Sequence, residues 1–383
     1  MKLVNFFSVQ DDSKSEKIRN LNTFRALAIL LGLIWNFMQT SKSTPSFSYL
    51  LSTGPWGGAN PLFLISGYLL GNQLLSRLSS NANISFFKFY CRRAFKTWPN
   101  YFILILFFLL FTDFFKKSNS NNLINFLTFT QNFNLTNSPL SHTWSLCIEE
   151  HFYLLLPFLI ILFFKKRFSK LPLVFFLFTV ALGMFLRNQI WITNIKNSGL
   201  ESFQIYFNSI YYLTYCRLDG LIIGVGLAYL KNFKSSLWTK LIIQANKFFI
   251  LGLFCCIIGF LLQVHRTNQV SAIFLFPIIS FGFGSLLISA LNPNSFFSLI
   301  KIPKPNLIAI LSYALYIVHK PVQYLISNFL IRYNLPFGLE LVFSLFLCFV
   351  ISFLCSYILY ILVEKPCLQL RNKFFPNIED IKY

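Results

Sequence analysis

"FRALAILLGLIWN" (residues 24–36) is apolar except for an arginine near its start and an asparagine at its end. A helix apolar on all sides has no face to turn to water and belongs in lipid or in a packed interior. Runs of about 20 apolar residues, the length that crosses a bilayer core as a helix, recur along the chain. They lie near 24–40, 57–75, 99–115, 146–164, 171–187, 217–231, 247–264, 271–290, 306–325 and 338–362. The 383 residues are 55% hydrophobic and 12% charged, against roughly a quarter charged in a soluble protein. The expected fold is all-α: a polytopic integral membrane protein with about ten transmembrane helices.

The net charge of +21 is unevenly placed. With the N-terminus cytoplasmic, the inner segments hold 23 of the 33 Lys and Arg. The outer segments hold seven: Lys42, Lys116, Lys117, Arg187, Lys196, Arg266 and Arg332. This asymmetry is the positive-inside pattern of a cell (plasma) membrane protein with both termini cytoplasmic. The basic balance therefore reports topology and attraction to anionic lipid, not a nucleic-acid partner. The eight cysteines form no CxxC pair, so neither a disulfide framework nor a metal site is expected. The expected organisation is a cytoplasmic N-terminal segment (1–20), a transmembrane domain (21–366) and a cytoplasmic tail (367–383). No small-residue cleavage site follows the first apolar run, which reads as a retained signal-anchor. The long outer connections, 116–145 and 188–216, are either solvated or hold re-entrant segments that face a substrate.

Ionisable residues inside spans are costly and usually face a cavity or a partner. Here they are Glu149, Glu150, Asp219 and Glu364, with Arg25, Arg217 and Lys320. Snorkelling at a helix end is the other reading for Lys320 and Glu364. Glu149 and Glu150 point about 100° apart on a helix, so one is expected in a cavity and the other in packing. Arg217 and Asp219 do not share a helical face, and each is expected to bond to another helix.

Seven blocks, in order from residue 21 to 366, resemble the acyltransferase-3 family of membrane O-acyltransferases. They are "LNTFRALAILL", "GANPLFLISGYLL", "FYCRRAFKTWPNY", "HTWSLCIEEHFYLLLP", "CRLDGLIIGVGLA", "LSYALYIVHKPV" and "VEKP". The resemblance implies transfer of an acyl group, often acetyl, from cytoplasmic acyl-CoA (acetyl-CoA or another) to a hydroxyl of an extracytoplasmic cell-envelope glycan or lipid-linked sugar. It also implies that a histidine eleven residues after Arg25 is the base. Asn36 stands there, and an amide is not basic near neutral pH. Asn22 and Asn60 likewise stand where the family has Asp.

The chemistry needs a grip on the donor, a base and an oxyanion partner. Arg92, Arg93 and Lys96 at the inner mouth of the third span suit the donor's phosphates, or are ordinary positive-inside flanks. Arg25 and Asn36 are about 16 Å apart along a helix, which suggests the entrance and the reaction depth of one channel. For a missing base three explanations stand: a disabled homologue that binds donor or glycan, another base, or deliberate substitution. The candidate bases are His142, His151 and His319, because His265 reads as an outer-loop residue. Glu150 could orient His151. Glu149 and Glu150, expected on the outer side, could bond the acceptor or act as base. Trp144, Ser145, His142, Arg217, Asp219, His319 and Glu364 lie in family blocks and are expected on the substrate side or in support. A transporter or flippase of lipid-linked glycan, with the same charges lining its path, is the alternative from a different class.

Overall fold

The computed structural model describes residues 16–38, 59–111, 123–135, 140–164, 170–199, 202–330 and 336–376, and none of these forms a strand. The long helices are α1 (Glu16–Met38), α2 (Asn60–Ser79), α3 (Phe86–Leu110), α4 (Trp144–Phe164), α5 (Leu171–Ile190), α6 (Asp219–Phe233), α7 (Ala245–Val264), α8 (Gln269–Ala290), α9 (Pro305–Leu330) and α10 (Phe337–Leu359). An amphipathic α11 (Lys365–Phe374) continues from α10 through a π-helical turn. The loop charges Lys2, Lys14, Lys42, Lys116, Lys117, Lys165, Lys166, Arg167, Arg332 and Lys382 lie outside the described residues.

Each apolar run of the sequence coincides with one long helix, and among the described residues five helices are long and apolar enough to cross a membrane. These are Ser141–Phe164, Leu171–Ile195, Ala245–Val264, Gln269–Ala290 and Gly338–Phe374. The others fall short for a physical reason. The helix α6 is only 15 residues long, and α1, α2, α3 and α9 carry polar side chains along their lengths. The apolar helices α5, α7 and α10 instead turn Leu177, Phe178, Phe254, Ile257, Phe346 and Leu354 outward, exposed. A surface of that kind is covered by lipid in a membrane protein.

Helix α3 starts thirteen residues earlier than its apolar run (86 against 99). Ser85 caps its N-terminus by accepting from the Lys88 backbone N–H at 3.3 Å. Arg92, Arg93 and Lys96 are therefore within the helix, in the turns that precede its apolar run. Pro61 occupies the first turn of α2, where its missing N–H costs nothing, whereas Pro99, Pro157, Pro277 and Pro321 lie inside α3, α4, α8 and α9.

The most extensive contact joins α2 to α6, and it depends on glycine. A Cβ at Gly67 would lie 2.1 Å from the Leu221 carbonyl oxygen, and one at Gly224 would lie 2.3 Å from that of Leu64. Small residues let helix backbones approach this closely where no hydrophobic effect drives helices together. Gly252 and Gly282 do the same between α7 and α8. A separate cluster joins α1, α9 and α10 around Leu33, Phe37, Leu315 and Cys348.

The outer connections pack onto the bundle where they are described. Residues 202–211 are helical, with Tyr206 and Ile210 fully buried, so this part of 188–216 is not a solvated connection. The Asn132 side-chain amide donates to the Tyr212 carbonyl at 3.0 Å and to the Thr214 hydroxyl at 2.9 Å, tying one connection to the other.

Gly67→Leu is expected to force α2 from α6 and cost more than the ~1–3 kcal/mol of ordinary overpacking. Gly32→Ala, where none of the described residues lies within 4 Å, is not expected to lower stability. Thermal midpoints in detergent, read by size-exclusion fluorescence, compare the two.

Candidate active site

Two adjoining cavities occupy the bundle. The first, about 110 Å³, is lined by Arg25 of α1, Ser66 of α2, Arg93 and Lys96 of α3, Glu149 and Tyr153 of α4, and Tyr313 and Tyr316 of α9. The second, about 80 Å³, is lined by Asn36, His142, His319 and Lys320 with an aromatic wall of Trp35, Trp144, Phe207, Tyr211 and Tyr212. Ala59 and Tyr316 line both. Arg25 lines the first of these neighbouring cavities and Asn36 the second.

The cationic cavity combines charges that the sequence places far apart. Glu149 accepts from the Ser66 hydroxyl at 2.9 Å and the Tyr153 hydroxyl at 2.6 Å. Expected on the acceptor side, it instead shares this cavity with Arg25, Arg93 and Lys96. Glu364, 4% exposed, accepts from the Asn100 amide at 3.0 Å, and its charged neighbours are Lys96, Arg25 and Arg371. It is held inside by these partners and does not snorkel. The Arg93 guanidinium donates to the Gln73 side-chain oxygen at 3.3 Å. Arg92 leaves the trio: it lines a separate cleft with Gln73, Arg77 and Lys88 and donates to the Phe375 carbonyl.

Glu149, Glu150 and His151 diverge because neighbours on a helix point about 100° apart. Glu150 accepts from the Thr97 hydroxyl at 2.8 Å and the Trp98 indole at 3.4 Å. The His151 ring lies against Phe133, with centroids 5.6 Å apart, and its Nδ1 is 2.8 Å from the Thr214 hydroxyl. The expected Glu150–His151 pairing is therefore absent, and His151 lines neither cavity.

The second cavity is built around Tyr316. Its hydroxyl donates to the His142 carbonyl and lies 2.5 Å from the Ser145 hydroxyl. His142 Nε2 is 3.1 Å from the Ile317 carbonyl, and the His142 and His319 rings meet edge to face at 5.1 Å. The Asn36 amide donates to the Gly32 carbonyl at 2.8 Å, and Gln323 donates to the Asn36 carbonyl at 2.7 Å, joining α1 to α9. Asn22, in turn, donates to the Asn306 side chain at 2.8 Å.

Behind the aromatic wall, Arg217 and Asp219 each bond to another helix and not to each other. Asp219 pairs with Arg187 of α5, at 2.8 and 3.2 Å, and Arg187 also reaches the Cys216 carbonyl at 2.7 Å. Arg217 donates to the Asn60 side-chain oxygen at 2.9 Å and lies 3.8 Å over the Phe276 ring and 4.6 Å over the Tyr211 ring. Nothing in the sequence marks Arg187 as a site residue. Counted there as an outer charge, it is fully buried, and Arg266, counted likewise, is 5% exposed. An arginine near the end of an apolar run carries no mark of a partner 32 residues on. Tyr316 is likewise unmarked, as one of many aromatics.

A helical membrane protein with a cationic cavity beside a polar and aromatic one is the class that these features define. The family model described as an acyltransferase domain matches residues 18–361, and the chain belongs to this acyltransferase-3 family. It is 29% identical over 343 residues to O-acetyltransferase OatA of Staphylococcus aureus (strain NCTC 8325 / PS 47), covering 84% of this chain and 54% of that protein. It is 25% identical over 233 residues to peptidoglycan O-acetyltransferase OatA of Listeria monocytogenes serovar 1/2a, covering 56% and 34%. The chain spans about half the length of the S. aureus relative. No solved structure matches it.

Asp219→Asn leaves Arg187 buried without its counter-charge and is expected to cost about 3–5 kcal/mol. The double substitution Arg187→Met with Asp219→Leu is expected to recover much of that loss, because no lone charge then remains buried. Folded yield and thermal midpoint measure both.

Proposed function

We propose that this chain is a membrane O-acyltransferase that moves an acyl group, acetyl, from cytoplasmic acyl-CoA to a hydroxyl of an extracytoplasmic cell-envelope glycan of the peptidoglycan type. It does so from the plasma membrane, with ten spans and both termini cytoplasmic. The observation that carries the reading is the pair of cavities sharing Tyr316, in a chain of this family. Arg25, Arg93 and Lys96 supply guanidinium and ammonium donors for an anionic thioester donor such as acetyl-CoA. The second cavity supplies aromatic faces and imidazoles for a sugar hydroxyl. The uneven placement of Lys and Arg supports the topology, and the printed names of the relatives support the acetyl group and the glycan. Asn36, at the family's histidine position, favours a second reading: a disabled homologue that binds donor or glycan without turnover.

Membranes carrying the chain are supplied with labelled acetyl-CoA and scored for label in envelope glycan. The chain as it stands is expected to transfer label, and Arg25→Ala to lower transfer by about tenfold or more through a lost charge-assisted contact. Transfer by Asn36→His alone would establish the disabled reading. Silence from all three, with folded protein in the membrane, would overturn acyl transfer.

A further inference from the structure

His319 is 1% exposed and lines the second cavity with Asn36 and His142. Its Nδ1 lies 2.7 Å from the Tyr316 carbonyl oxygen. A carbonyl oxygen can only accept, so Nδ1 carries the proton of this bond. In the neutral ring the basic lone pair is then on Nε2. That nitrogen is buried and has no hydrogen-bond partner among the described residues. A buried acceptor without a donor is costly, so such a group calls for a role.

The surroundings point to the role. His319 and Gln323 are one turn apart on α9, and Gln323 bonds the backbone of Asn36. The Phe37 ring centroid lies 6.4 Å from that of His319. His319 therefore faces the part of α1 where the family's base is missing. Among the described residues, the other titratable groups lining this cavity are His142, Tyr211, Tyr212, Tyr316 and Lys320, none of them an acid. His151, the other sequence candidate, is engaged by Thr214 and stands outside both cavities.

We propose that His319 is the general base of acyl transfer in this chain, taking from α9 the role that Asn36 cannot perform from α1; this rests on the acyltransferase reading above. The acceptor hydroxyl is the donor that Nε2 lacks. As the hydroxyl oxygen bonds to the thioester carbonyl carbon, its proton moves to Nε2. The C–S bond then breaks, its electron pair leaves on sulfur, and the imidazolium returns the proton to give the free thiol. The Tyr316 carbonyl fixes the ring and accepts from Nδ1 throughout, so the imidazolium keeps a partner on both sides of the step.

The test uses the full chain in nanodiscs with labelled acetyl-CoA and peptidoglycan fragments. His319→Gln is expected to lower turnover by about 10²-fold or more while acetyl-CoA affinity stays within about threefold. Adding Asn36→His to it is expected to restore turnover, since a base then returns from the α1 side. A His319→Gln rate within about threefold of native would overturn the proposal and leave the acyltransferase reading intact. So would a native chain that is silent while Asn36→His transfers. Silence of both, in folded protein, would sink the acyltransferase reading and the proposal with it. If His319→Gln does not fold, His319→Asn takes its place, and turnover by that variant within about threefold of native would overturn the base role.

Discussion

The pair between Arg187 and Asp219 joins α5 to the first residue of α6 where neither side chain meets solvent. A guanidinium and a carboxylate can be buried there only because each neutralises the other and because Arg187 also reaches the Cys216 and Ile273 carbonyls. With the start of α6 anchored, its glycine face lies against α2 at a distance that no larger residue permits. Helix α2 then presents Ser66 to Glu149 and Asn60 to Arg217. One buried ion pair and one glycine crossing thus determine where two walls of the site stand.

Around that frame the helices divide by polarity. Those with outward-facing Leu, Phe and Ile form the belt that lipid covers. Those with interrupted hydropathy, α1, α2, α3 and α9, enclose the cavities together with the N-terminal turns of α4. Such helices satisfy their polar side chains by facing one another, so the polar residues that lower their hydropathy are also those that make a site. Tyr316 is the common wall: its hydroxyl is bound to Ser145 and His142, and its carbonyl holds His319. Cations that suit a phosphorylated donor lie on one side of it, and the imidazoles on the other.

Composition and the length of the apolar runs were enough to establish an all-helical membrane chain and, nearly to the residue, the position of most long helices. The reason is that hydrocarbon admits very few backbone arrangements. The seven family blocks were equally legible, because a motif is a local pattern. Which charge meets which was decided by tertiary structure alone. Arg187 read as an outer charge and is the partner of Asp219; Glu149 read as an acceptor-side group and lines the cavity of the cations; Glu150 and His151, adjacent in sequence, bond to different partners. Hydropathy reports the medium that a segment prefers, averaged over a helical turn. A hydrogen bond depends on the direction of one side chain and on a partner from a distant helix, and that direction is set only once the helices have packed.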